Sequence, residues 1–147
     1  DQTHYNLFVT FDLDFVRGTE SFTMDADRSL TEYMSDELKK EFSTLSDEAV
    51  DRIKRFPCIF ANENTAYGHT DEDQMLGVGY IRQVKVRRDK IRIYPTVMYL
   101  LPQQSLNEAL FELDIIGTDS FNEFNRTLWC IKKVDLIEEL RELGFQI

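Results

Sequence analysis

Histidine and cysteine are scarce here, two of each, and that scarcity removes several chemistries at once. Cys58 and Cys130 lie far apart, each inside an apolar stretch. They form neither a disulfide framework nor a zinc-ligand spacing. Both are expected to be small buried hydrophobes in a reducing, cytoplasmic setting. Two histidines leave few general bases for work near neutral pH. No G-x-S-x-G elbow, Gly-rich phosphate loop or redox cysteine pair occurs, so nucleophilic catalysis has little support. No run approaches the roughly 20 apolar residues of a membrane helix. The polar N-terminus lacks the basic-then-apolar pattern of a signal peptide. Repeats and low-complexity segments are missing too. No cofactor, metal or membrane is therefore expected. Because the first residue is Asp1 and not Met, the chain is expected to be trimmed or part of a longer protein.

What is present is a domain's worth of core. The 147 residues include eleven Phe and six Tyr, and 42% of the chain is hydrophobic. That suffices for one domain over residues 1–147 with a properly buried interior. Net charge is −10 and the pI is about 4.6, which opposes broad affinity for nucleic acid.

The acidity is not uniform. Residues 82–92 hold Arg82, Lys85, Arg87, Arg88, Lys90 and Arg92 against the single acid Asp89, a local balance of +5 that leaves −15 for the rest. Such a face can act within a Debye length of about 8–10 Å despite the overall sign. The segment reads as a β-hairpin. Val84 and Val86 face one side of the first strand, and Ile91, Ile93, Val97 and Tyr99 alternate on the second. Arg87 to Lys90 connect them and leave Val86 opposite Ile91. Ile81 falls out of phase with Val84, so a bulge is expected near Arg82–Gln83. Pro95 implies an edge or a distortion. Lys85, Arg87, Lys90 and Arg92 share the face opposite the apolar one, with Tyr94 beside them. That face suits phosphate or another anion; it also suits a solubilised outer surface that blunts edge pairing.

The other elements follow from periodicity and capping. Residues 5–16 alternate as a strand, with Asp12 and Asp14 on one face. A short strand is expected at the centre of 17–28. A helix is expected from Ser29, with Glu32 completing a capping box, and a second from Ser46, ended by Pro57. The pair over 29–56 is a candidate subdomain. Strands follow at 57–62, 76–86, 90–101 and 127–132. Leu106, Ala109, Leu110 and Leu113 recur at helical spacing. Asp135 caps a last helix that Gly144 closes. The expected fold is α+β: a mostly antiparallel, curled sheet of about five strands with four or five helices packed on it.

Three further constellations bear on chemistry. Glu63 directly follows an apolar strand, so partial burial would demand a partner. His69, Asp71, Glu72 and Asp73 follow in a polar loop. Arg126 offers a planar fork for carboxylate or phosphate, with Trp129, the single tryptophan, and Lys132 close by. Finally, Asp71 and Asp73 with Gln83-x-Lys85, or Asp12 and Asp14 with them, resemble the catalytic set of metal-dependent nucleases of the restriction-endonuclease type, although Gln83 replaces the usual acid.

Phe56-Pro-Cys-Ile-Phe60 with Glu63, Gly79-Tyr-Ile81, Ile91-Arg-Ile93, Leu101-Pro102, Leu113-Asp-Ile115 and Glu123-Phe-Asn-Arg-Thr-Leu-Trp129 with Lys132 and Val134-Asp-Leu136 resemble an uncharacterised bacterial domain. Its pattern is a Pro-led strand ending in Glu, a G-x-I hairpin and a closing E-x-N-R-T-x-W-x-x-K-x-V-D-L. The resemblance covers about residues 30–143. Leu128 stands where the family typically has His, which puts any role needing an imidazole there in doubt. The resemblance implies an accessory or sensing part of a larger protein, in a defence system, with Glu63, Arg126, Trp129 and Lys132 as its shared set.

Together these readings predict a non-catalytic recognition module for an anionic small molecule or a partner protein. Its site would be Glu63, Arg126, Trp129 and Lys132, with Lys85, Arg87 and Arg92 as a second contact. Nucleic acid would be met only through the basic hairpin. The alternatives are the nuclease above and a structural or oligomerisation domain, whose interface would be the acidic helices and the Pro95 strand.

Overall fold

Six consecutive residues of strand β1, Tyr5–Thr10, are buried on both of its faces, which places it deep in a sheet covered on two sides. The computed structural model describes residues 3–147 of the chain. After β1 come β2 (Phe22–Asp25), α1 (Asp36–Phe42), α2 (Asp47–Ile53), β3 (Cys58–Asn62), β4 (Met75–Val86), β5 (Lys90–Pro102), α3 (Gln103–Asn107), β6 (Leu128–Lys132) and α4 (Leu136–Glu142). Short 3-10 turns occupy Ala26–Arg28 and Glu123–Asn125. The six strands form one curled sheet in the order β2-β5-β4-β3-β1-β6.

The fold is α+β, as expected, but its sheet is mixed. β1 runs parallel to β3, with Leu7 beside Ile59, and every other pairing is antiparallel. Parallel neighbours need a long crossover, and the stretch carrying β2, α1 and α2 supplies it. The sixth strand is β2, which the sequence suggested only as a short piece within a loop.

Each face of the sheet has its own core. One gathers Tyr5, Leu7, Val9, Ile59 and Leu128 with Leu106, Leu113, Leu136 and Leu140. The other gathers Phe8, Phe60, Ile93 and Trp129 with Phe42, Ile53 and Phe56. The residues of α1 and α2 thus complete the sheet's core instead of building a separate one.

Several expected boundaries are corrected. The first strand ends at Thr10, not at residue 16, and exposed Asp12 and Asp14 belong to the loop beyond it. Asp14 Oδ1 there accepts from the backbone N–H groups of Val16 and Arg17. No helix starts at Ser29, because Leu30 and Tyr33 adopt φ of 62° and 58°, outside any right-handed helix. The Leu30 N–H instead donates to the Trp129 carbonyl at 2.7 Å. Helix α1 begins nearly two turns later, where the Ser35 hydroxyl accepts from the Leu38 N–H. The second helix starts as expected, with Ser46 capping Ala49. The helical spacing over 106–113 yields only the short α3 followed by turns, yet Leu106, Ala109 and Leu113 are all buried.

The hairpin forms in the expected register. Val86 faces Ile91, and the ladder shifts between Ile81 and Gln83. Pro95 lies just past the residues that β2 covers, where a missing N–H costs no ladder bond on that side. Among the described residues no helix is long and apolar enough to cross a membrane.

Candidate functional site

The outer face of the hairpin is where charge is least balanced. Lys85 and Arg92 sit directly opposite each other across β4 and β5, and Gln83 opposes Tyr94. Like charges facing each other in a ladder repel, which is a net cost to folding. Arg82 is the extra residue at the register shift, and the bulge turns its side chain toward Tyr94. Its guanidinium carbon lies 5.7 Å from the ring centre, and Lys85 Nζ lies 5.4 Å from the same ring. Arg82 also donates to the Pro95 carbonyl at 3.2 Å, and Arg92 to the Ser21 hydroxyl at 2.9 Å. Among the described residues only Lys90 of this cluster has a carboxylate, that of Asp25 on β2. The Asp25 carboxyl is held below its ordinary value by the hydrogen bond and charge of Lys90, and Lys90 is raised in turn. Among the described residues Arg82, Lys85, Arg87, Arg88 and Arg92 form no ion pair.

Asp25 connects this face to an open depression of about 470 Å³ lined by Phe11, Asp25, Arg28, Glu63, Arg126 and Thr127. Glu63 and Arg126 therefore share a rim but do not pair. The Glu63 carboxylate accepts from the Thr127 hydroxyl at 2.5 Å. Arg126 reaches the other way, donating to the Tyr33 hydroxyl at 2.9 Å and pairing with Glu32 at 3.0 Å. Its guanidinium also stacks over the Tyr33 ring. These bonds, with burial opposing them, hold Arg126 above its ordinary pKa.

Trp129 and Lys132 are not brought to that rim. Trp129 is 1% exposed, stacked on Phe8 at 4.9 Å between ring centres. Lys132 points to the opposite face of β6 and is also 1% exposed. Its Nζ donates to Glu123 at 2.7 Å and to the Tyr33 carbonyl at 2.9 Å. Burial raises the Glu123 carboxyl above its usual range, against the opposing pull of Lys132. Beside it the Cys130 thiol is pushed well up, chiefly by burial, and its Sγ lies 3.2 Å from Glu123 Oε1. Alternation along a five-residue strand separates Trp129 from Lys132, so the four-residue cleft expected from the sequence does not assemble.

The nuclease set does not assemble either. Asp71 and Asp73 precede the start of β4 and Lys85 lies near its end, roughly 30 Å away at about 3.3 Å per residue. Among the described residues no group of three or more His, Cys, Asp or Glu could hold a metal ion. The loop that carries Asp71 and Asp73 is instead tied down by carboxamides. Asn64 donates to Asn107 and Asn125, Asn125 Oδ1 accepts from the Gly68 N–H, and Gln103 donates to the Asn62 carbonyl. This network escaped the sequence reading, because its members are scattered over 62–125 without periodicity. Also missed was the exposed apolar run Val97–Leu100. Its signal was an uncharged stretch, Tyr94–Leu101, directly after the basic tip.

No family model, curated protein or solved structure matches the chain.

Proposed function

We propose that this chain is a non-catalytic recognition module whose β2–β5–β4 outer face engages an acidic partner. One observation supports the reading above others. In a chain with 27 carboxylates and 17 lysines and arginines, five clustered cations have no carboxylate partner among the described residues, two of them directly opposed. Folding alone would favour pairing or dispersing them, since like-charged cross-strand neighbours destabilise a sheet. An acidic ligand removes the repulsion and converts each cation into a charge-assisted contact. Lys85, Arg87 and Arg92 form the centre of the face, with Arg82 held on Tyr94. Arg126, at the rim beyond Asp25, extends it. Trp129 and Lys132 serve the core. An accessory role within a larger bacterial assembly, which the sequence resemblance implies, accords with a face built for binding.

The test is fluorescence anisotropy with labelled polyglutamate, and with a duplex oligonucleotide of equal charge as comparator. Polyglutamate is expected to bind the parent more tightly than the oligonucleotide does, and roughly tenfold more tightly than it binds the Lys85→Glu/Arg92→Glu variant. Equal binding by parent and variant, or no binding by the parent, overturns the reading. Preference for the oligonucleotide replaces the acidic protein with nucleic acid.

A further inference from the structure

Past Ile93 the outer edge of β5 has no strand beside it among the described residues. β2 pairs only with Lys90–Ile93, whereas β5 continues to Pro102. The open run Tyr94–Leu101 contains no charged residue. Val97, Met98, Tyr99 and Leu100 are all exposed, Met98 to 55% and Leu100 to 44%. Tyr99 and Leu100 are regular ladder neighbours and so point to opposite faces; with both exposed, both faces are uncovered here. Natural edges are ordinarily blunted by charge, proline, a bulge or a covering segment. This one has Pro95 at its start and a one-residue bulge at Met98, where the β4–β5 ladder shifts, but nothing charged in the strand after Arg92.

The loop after β1 stands off from this edge and leaves a groove of about 440 Å³. Phe15, Val16 and Thr19 line one side, Val97 and Tyr99 the other, with Phe60 also contributing. The two ends differ in sign. Asp14 and Arg17 line the groove itself; next to its Pro95 end Arg82 is bonded to the Pro95 carbonyl and stacked on Tyr94, with Lys85 on the same ring. At the Leu100 end Asp12, Asp14 and Asp73 line an adjoining depression.

We infer that the β5 edge from Pro95 to Leu101 pairs with an extended segment of a partner protein. Apolar side chains alternate along that segment, acidic residues mark its Arg82 end, and basic or neutral residues its Asp73 end. The inference deepens the proposed recognition function and rests on it for the acidic end, because the groove runs directly into the basic face. Main-chain hydrogen bonds along an added strand supply affinity, and pockets for alternate side chains supply register. The charge polarity of the groove fixes which way the segment lies. A second copy of this chain fits less well, since each copy brings a net charge of −10 and long-range repulsion opposes their approach.

The experiment pans a random peptide library, of a length that forms one strand, on the full chain. A selected peptide is then synthesised for amide hydrogen exchange and anisotropy. Enriched peptides are expected to alternate apolar residues and to carry acids at one end. Binding should slow exchange at Thr96–Leu101 in the parent protein, a readout that needs no variant. Met98→Gln/Leu100→Gln, which adds no charge, should weaken the peptide roughly tenfold while leaving polyglutamate binding unchanged. Both side chains are exposed, so the variant should keep the parent's circular dichroism. No enrichment, or a bound peptide that leaves exchange at Thr96–Leu101 unaltered, overturns the inference. Concentration-dependent dimers in sedimentation that the edge variant abolishes also overturn it, in favour of a second copy. Failure of the underlying reading shows differently: polyglutamate then binds parent and Lys85→Glu/Arg92→Glu alike while the edge still takes a peptide.

Discussion

The Trp129 indole donates from Nε1 to Asn6 Oδ1 at 3.1 Å, between adjacent strands and away from water. Asn6 in turn donates to the Ile53 carbonyl at 3.1 Å, so one carboxamide ties β6 and β1 to the end of α2. A polar residue in the middle of the aromatic core is tolerable because its oxygen and its amide group both have partners. The sole tryptophan is thereby committed to holding layers together.

Trp129→Phe should cost about 2–4 kcal/mol, combining lost packing with an orphaned Asn6 oxygen. Urea denaturation measures it. In the parent, iodide should fail to quench the indole, and polyglutamate should leave its emission unchanged. A ligand-induced emission shift would return Trp129 to the binding surface.

Removing Lys132 strands Glu123. Lys132→Met should destabilise the protein by about 3–5 kcal/mol near neutral pH, because a buried carboxylate loses its counter-charge. The raised Glu123 value fixes the sign of the pH dependence. Such a carboxyl favours the folded state below the ordinary glutamate value of 4.5 and loses that contribution as pH climbs through the raised value. The cost of Lys132→Met should therefore shrink toward acid pH, as Glu123 takes a proton. Glu123→Gln/Lys132→Met should recover stability to within about 1 kcal/mol of the parent. Unfolding curves across the acid range check both expectations.

Both thiols should be inert in the folded protein. Cys58 and Cys130 are fully buried, and burial pushes both thiols well up, away from the reactive thiolate. Labelling by a thiol reagent at mildly alkaline pH should proceed only at the rate of unfolding. Fast labelling of either cysteine would show that its layer opens locally.

Gly79 sits where the ladder shifts by one residue, and a Cβ there would lie 1.8 Å from the Thr96 carbonyl oxygen. Gly79→Ala should cost about 1–3 kcal/mol by overpacking. It should also speed amide exchange along the neighbouring part of β5. A wild-type melting temperature for this variant would mean that β4 and β5 can separate freely at this point.

Some of this could be read from residue order alone, for local reasons. Hydroxyl and carboxylate caps at Ser46 and Asp135 need only the next few residues to act, and both helices start there. The two-residue alternation of the hairpin and its slip at Arg82–Gln83 are likewise local, and both appear in place. Ser29 shows where local reasoning stops. Its capping pattern with Glu32 is outcompeted by the hydrogen bond from Leu30 to Trp129, a residue about a hundred positions away.

The sequence by itself determined an α+β chain with a basic hairpin on an acidic body, because alternation, capping and charge are written in neighbouring residues. Only the tertiary structure decided that β1 and β3 run parallel, that Trp129 and Lys132 face opposite ways into the core, and that β5 outruns its neighbour β2. Those outcomes depend on which distant segments pair and how far each pairing extends. Burial energy summed over the whole sheet selects among such arrangements, and no short window of sequence contains that sum.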